Sequence, residues 1–181
     1  MAAFLRRVVR AAALDARLYE EVEADEGATG QAMAVVVLSS VAAGIGFAFQ
    51  ADYPVARAVY GLLSALFGWI LWAGLTYVFG AKLFPAPQTE ANLWQLLRTI
   101  GFASAPGLIR VFAFLPVFGV VVSAIASVWM LIAMIIAVRQ ALDYPGTLRA
   151  VGVCLLGWIA QLLLQFVPLV LVPALYGGEW R

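Results

Sequence analysis

The chain reads as an all-α integral membrane protein of five transmembrane helices preceded by an amphipathic helix, N-terminus inside and C-terminus outside. Three observations predict this. Apolar residues make up 65% of the 181 and charged residues only 12%, too little polar surface to cover a soluble particle of that size. Uncharged runs of about 20 residues recur, and at 1.5 Å per residue each matches a hydrocarbon core of roughly 30 Å. The basic residues are unequally shared. With five spans, Arg6, Arg7, Arg10, Arg17, Lys82, Arg98, Arg139 and Arg149 fall on one side and only Arg57 and Arg181 on the other, and the cytoplasmic side keeps the excess.

The composition also excludes function classes. A formal net charge of +1 argues against a nucleic-acid partner. The absence of histidine removes His-based metal sites, Ser-His triads and His proton relays. Asp52 and Asp143 fall in loops on opposite sides, so no intramembrane aspartyl pair exists, and no serine has a general base in a recognisable motif. No enzymatic activity, cofactor or metal is expected. Cys154, the single cysteine, lies in an apolar run and reads as a buried structural thiol.

Residues 1–30 read as a cytoplasmic segment. Phe4, Leu5, Val8, Val9 and Ala12 share one helical face and Arg6, Arg7 and Arg10 the other, an interfacial helix whose arginines meet the membrane surface. No apolar core of signal-peptide length follows before Asp15, so no cleavage is expected. The run Tyr19-Glu-Glu-Val-Glu-Ala-Asp-Glu26 reads as a solvated acidic helix, with a cation or partner contact as the alternative.

The membrane domain covers 31–175, with spans at about 31–50, 58–79, 101–118, 120–138 and 150–171, and 176–181 is an external tail. Small residues four apart let neighbouring helices approach: Ala42 with Gly46, Gly44 with Ala48, Gly61 with Ala65, Ser64 with Gly68, Ser123 with Ser127, Ala133 with Ala137. Trp69 and Trp72 lie too deep for the aromatic belt formed by Tyr53, Tyr60, Tyr176 and Trp180, so they read as packing residues, or else as lining a ligand site. Between the second and third spans, Thr89 is the expected N-cap of a short helix. Leu93, Leu96, Leu97 and Ile100 share its face with Trp94 at the flank, which places it in the headgroup region.

The third span carries the one intramembrane charge. Phe102 to Val138 is 37 residues whose only charge is Arg110, enough for two short arms turning at Pro116 to Gly119, with a re-entrant loop as the alternative. A charge at a helix centre costs roughly 2.5 to 3.5 kcal/mol on insertion scales, so it needs a reason. Pro106, four residues earlier, leaves a backbone carbonyl without its donor. Arg110 is expected to satisfy that carbonyl, to bond Gln161 or Gln165 of the last span, and to hold an anionic headgroup; snorkelling is the alternative.

Three local motifs resemble the YIP (Ypt-interacting protein) domain family of small five-span membrane proteins. Gly101-Phe102-Ala-Ser-Ala-Pro106 is similar to the family's glycine, aromatic, three variable residues and proline at the start of the third span. Arg139-Gln-Ala-Leu-Asp-Tyr-Pro-Gly-Thr-Leu-Arg149-Ala150 looks like the bacterial members' connection from fourth to fifth span, and Leu14-Asp-Ala-Arg-Leu-Tyr19 like their N-terminal segment. The resemblance implies a five-span fold and a trafficking or assembly role. The chain lacks the eukaryotic members' longer N-terminal region and its Asp-Leu-Tyr-Gly-Pro motif, which sets against the GTPase partner implied by the family name.

Two functions follow as expectations. The first is a non-enzymatic membrane organiser or assembly partner engaging lipid, other helices or a second copy; the alternative is a small transporter or lipid- and anion-binding protein with a midplane site around Arg110. Abundant alanine, and Lys82 as the only lysine among 11 basic residues, suggest a GC-rich bacterial source and hence the plasma membrane.

Overall fold

The computed structural model describes residues 1–47, 54–115 and 118–176, of which 47, 54, 57 and 165–176 as backbone alone. The helices are α1 (Ala2–Ala12), α2 (Ala16–Ala24), α3 (Ala28–Phe47), α4 (Pro54–Thr76), α5 (Leu93–Phe102), α6 (Phe118–Ala141) and α7 (Thr147–Tyr176). π-helical turns at Tyr77–Leu83 continue α4, and a 3₁₀ helix, Ala105–Phe114, continues α5. Among the described residues there is no strand. Five segments are long and apolar enough to cross a membrane: Ala28–Gly46, Ala58–Leu83, Leu93–Phe114, Phe118–Ala141 and Thr147–Leu164. The chain is therefore an all-helical, multi-pass membrane protein.

The third segment departs from expectation. Its N-cap is Asn92, not Thr89: the Asn92 side chain accepts from the Gln95 N–H at 3.0 Å, and the Gln95 side chain accepts from the Asn92 N–H at 2.7 Å, a reciprocal capping box. Thr89 instead donates its hydroxyl to the Leu142 carbonyl at 2.6 Å. Nor is α5 an exposed surface helix. Leu96 through Phe102 are buried: the apolar face of Leu96, Leu97 and Ile100 packs on Ala73 of α4, Val138 and Ala141 of α6 and Val153 of α7, while α2 covers the side that carries Phe102. The crossing segment thus begins eight residues before Gly101. Pro106 sits in the first turn of the 3₁₀ helix, where a missing N–H removes no helical bond. The two segments around the turn hold 22 and 24 residues, each of spanning length, which favours two arms over a re-entrant loop. Pro116 itself lies outside the described residues.

The N-terminal segment is part of the bundle. Its first helix ends in a Schellman motif with Leu14 at φ 61°: the Leu14 N–H reaches the Ala11 carbonyl and the Asp15 N–H the Arg10 carbonyl, both at 3.1 Å. The chain reverses there, and Asp15 caps α2 by accepting from the Arg17 N–H at 3.0 Å. Leu18, Tyr19 and Val22 are completely buried in one cluster with Phe102 of α5 and Ala133 and Ala137 of α6. The alanine row of α6 makes room for the tyrosine ring.

The acidic run keeps a solvated side, with Glu20, Glu21 and Glu26 exposed, but it is also paired within the chain. Glu21 pairs with Arg7 at 2.8 Å and Arg10 at 2.5 Å, Asp25 with Arg7 and Asp15 with Arg10 at 2.8 Å each. Arg7 and Arg10, expected at the lipid surface, are spent on these partners. Arg6 and Trp94 remain exposed.

Glycines set the closest helix approach. A Cβ on Gly46 of α3 would overlap the Arg110 carbonyl and Ala113, and one on Gly107 would overlap Ser39 and Met130. Trp69 donates to the Leu97 carbonyl at 2.9 Å and the Trp72 ring lies 3.7 Å from where Gly157 of α7 would carry a Cβ, so both pack between helices. Cys154 is buried.

Candidate functional site

Arg110 stands on the 3₁₀ helix with its backbone against α3 and its side chain toward α6. A terminal guanidinium nitrogen donates to the Ser127 hydroxyl at 3.0 Å, and that hydroxyl donates to the Ser123 carbonyl at 2.8 Å. The Ser123 hydroxyl is buried and has no partner among the described residues. Ser127 lies nine residues past Phe118, about 14 Å along α6, whereas Arg110 is four residues from Phe114, about 8 Å at the 3₁₀ rise. The guanidinium therefore points along α6 away from the turn that joins the two helices. Chemically the notch offers a cation with further donors and two hydroxyls, which suits an anionic oxygen.

The other expected site residues are not gathered here. The 3₁₀ helix packs on α3, α6 and α1, whereas α7 packs on α4, α6 and the π-helical turns. Gln161 is half-buried on α7, and among the described residues no hydrogen bond links it to Arg110; the side chain of Gln165 lies outside the described residues. Pro106 is buried, but it leaves no orphan carbonyl for Arg110 because it occupies a first turn. Gly101 and Phe102 are packing residues: a Cβ on Gly101 would overlap Ala32, and Phe102 is completely buried.

A second polar cluster holds one end of the bundle together. Arg98 is 5% exposed; its Nε donates to the Val22 carbonyl at 3.0 Å, and a terminal nitrogen donates to the Glu23 carbonyl. A cation thereby closes the C-terminus of α2, where the helix dipole favours it. Glu20 accepts from Gln140 of α6 at 2.8 Å. The α6 helix ends in its own Schellman motif, with Asp143 at φ 51° and the Tyr144 N–H on the Arg139 carbonyl at 2.9 Å. The Tyr144 hydroxyl lies 2.8 and 2.9 Å from the Gly80 and Phe84 carbonyls, and Gln88 donates to the Asp143 carbonyl at 2.9 Å.

The electrostatics of this end divide the carboxylates into two kinds. Burial, then the charge of Asp143, push Glu23 up to about 7, against the pull of Arg98. The arginine pairs hold Glu21, Asp15 and Asp25 below the usual carboxylate range.

Sequence reasoning missed Arg98 and Glu23. Counting Arg98 as a loop cation hid it, although the box Asn92-x-x-Gln95 already sets the helix start that carries it into the core. No local signal marks Glu23, whose environment is made by α6 and its loop. Comparisons with protein-family models, curated proteins and solved structures found no match.

Proposed function

We propose that this protein is a non-enzymatic, five-span member of the YIP-like bacterial membrane proteins, N-inside and C-outside in the plasma membrane, acting as an assembly or membrane-organising partner. One observation carries the assembly reading. The glycines at Gly46, Gly101 and Gly107 are filled from within the fold, but a Cβ at Gly61, Gly68 or Gly74 on α4 meets nothing within 4 Å. Gly61, Ser64 and Gly68 make an open small-residue row, flanked by the exposed Tyr60, Leu63 and Phe67, on which another transmembrane helix can approach closely. The topology is supported by the bonds that hold α2, the 84–92 connection and the 142–146 loop at one end, the end that carries the basic excess. Bifunctional cross-linking through Ser64→Cys in native membranes tests the reading. Adducts of a second copy or another membrane protein are expected, and Gly68→Leu is expected to abolish them without lowering the melting temperature. Adducts undiminished by Gly68→Leu refute it.

A second reading rests on the Arg110–Ser127 bond, which keeps a cation deep in the span: the notch binds an anionic lipid headgroup or a free anion. Arg110→Leu with unchanged lipid phosphorus in the purified protein and unchanged thermal stability would rule this out.

A further inference from the structure

We propose that the α1–α2 hairpin is sunk into one leaflet of the bilayer, with Leu5 and Val9 of α1 lying against lipid acyl chains. The three faces of α1 carry the argument. Inward, Val8 and Ala11 are buried and α1 packs on the 3₁₀ helix. Sideways, Arg7 and Arg10 share Asp15, Glu21 and Asp25 of the second half of the hairpin. Outward stand Leu5 and Val9, 57% and 67% exposed. A helix lying against water would turn its cations out and its leucine and valine in; α1 presents apolar side chains both ways and neutralises two of its three arginines laterally.

A single hydrogen bond gives the depth. The Trp129 indole N–H donates to the Ala12 carbonyl at 2.8 Å. Trp129 precedes the end of α6, Ala141, by twelve residues, about 18 Å. The 24 residues of α6 measure about 36 Å against a hydrocarbon core of about 30 Å, so even with the whole surplus at this end the Trp129 backbone lies about 12 Å inside. That is more than an indole side chain spans. The last carbonyls of a helix need partners where water is absent, and here the indole provides one.

Acyl chains are the occupant because the surface is continuous. Trp129 also walls an apolar groove of about 400 Å³ on α6, with Ala124, Ile125, Val128 and Ile132, so the outward face of α1 prolongs a surface that already faces lipid. Arg6, exposed, lies six residues, about 9 Å, from Ala12 toward the open end of the hairpin, with a stem long enough to reach phosphates from below the boundary. The inference is independent of the assembly reading, since lipid contact is measured without any partner.

The test uses the full chain with Cys154→Ala, reconstituted in vesicles of phosphatidylcholine and phosphatidylglycerol and spin-labelled at Val9→Cys. Ala24→Cys, exposed at the far end of α2, is the reference. The label at position 9 is expected to collide freely with oxygen and to lose nearly all collision with a water-soluble nickel complex; the reference label is expected to behave oppositely. Leu5→Cys, one turn away, repeats the measurement should Val9→Cys not fold. Trp129→Phe is expected to raise nickel collision at position 9. Labels at positions 5 and 9 that meet nickel as often as the reference overturn the proposal.

Discussion

Raising the pH through neutrality is expected to loosen the end of the bundle held by α2, because Glu23 sits at about 7 instead of its ordinary 4.5. A carboxyl raised in the folded state contributes stability that is fully present below about 4.5 and is lost as pH climbs through about 7. The full difference corresponds to about 3 kcal/mol, which partial exposure of the side chain reduces to roughly 1–2 kcal/mol. For a chain of this size that is about 3–6 °C in melting temperature. Tryptophan-fluorescence melts in neutral detergent at several pH values between 5 and 8.5 measure it. Glu23→Gln is expected to flatten the slope, and Asp143→Asn to shrink it, because asparagine tolerates the left-handed backbone at φ 51° while removing the charge that faces Glu23. If Glu23→Gln retains the wild-type slope, the buried carboxyl is not its source. On the acid side Asp15, Glu21 and Asp25, all lowered by the arginine pairs, contribute stability present above about 4 and lost below it.

Other substitutions read the same contacts. Arg98→Met strands the Val22 and Glu23 carbonyls and is expected to cost about 2–3 kcal/mol, seen as a lower denaturation midpoint; a midpoint within error of wild type would deny Arg98 its capping role. Tyr144→Phe removes the hydroxyl that serves the Gly80 and Phe84 carbonyls and is expected to cost about 1–2 kcal/mol in the same assay. Gly46→Val places side-chain atoms on the Arg110 carbonyl and is expected to cost about 1–3 kcal/mol or more, whereas Gly61→Ala on the open row is neutral in the monomer; equal costs would contradict the packing. Cysteines at Glu26 and Gly178 are expected to label from opposite sides of sealed vesicles, and labelling from one side would mean an even number of crossings.

Much of the fold is legible in the sequence because hydropathy over 20 residues is a strong signal and a bilayer admits few architectures. The five crossing segments come from that alone. What is not legible is tertiary. The one-sided pattern of Leu93, Leu96, Leu97 and Ile100 predicts a surface helix, and only the packing of α4, α6 and α7 on that face, with α2 on the other side, makes it a buried one. Leu14 and Asp143 hold left-handed positions that glycine usually marks, so both helix ends pass unnoticed in the sequence. At the candidate site, Arg110 is readable as an anomaly and Ser127 as part of a small-residue row, but their pairing is not. It depends on a 3₁₀ rise that points the side chain at a different level of α6 than an α-helix would.

That 3₁₀ rise has a mechanical consequence. Three residues per turn line up Gly107, Arg110 and Ala113 along one edge, and the same edge meets Ser39 and Gly46, seven residues apart on α3. At 2.0 Å per residue against 1.5 Å, the six residues from 107 to 113 cover about 12 Å where an α-helix would cover about 9 Å, and an α-helix would also fan the three residues apart. The ten residues of the 3₁₀ helix therefore reach about 5 Å farther than an α-helix of the same length, so the third span crosses with fewer residues than its neighbours would need, and paired spin labels at Leu93 and Leu115 are expected to read the longer separation.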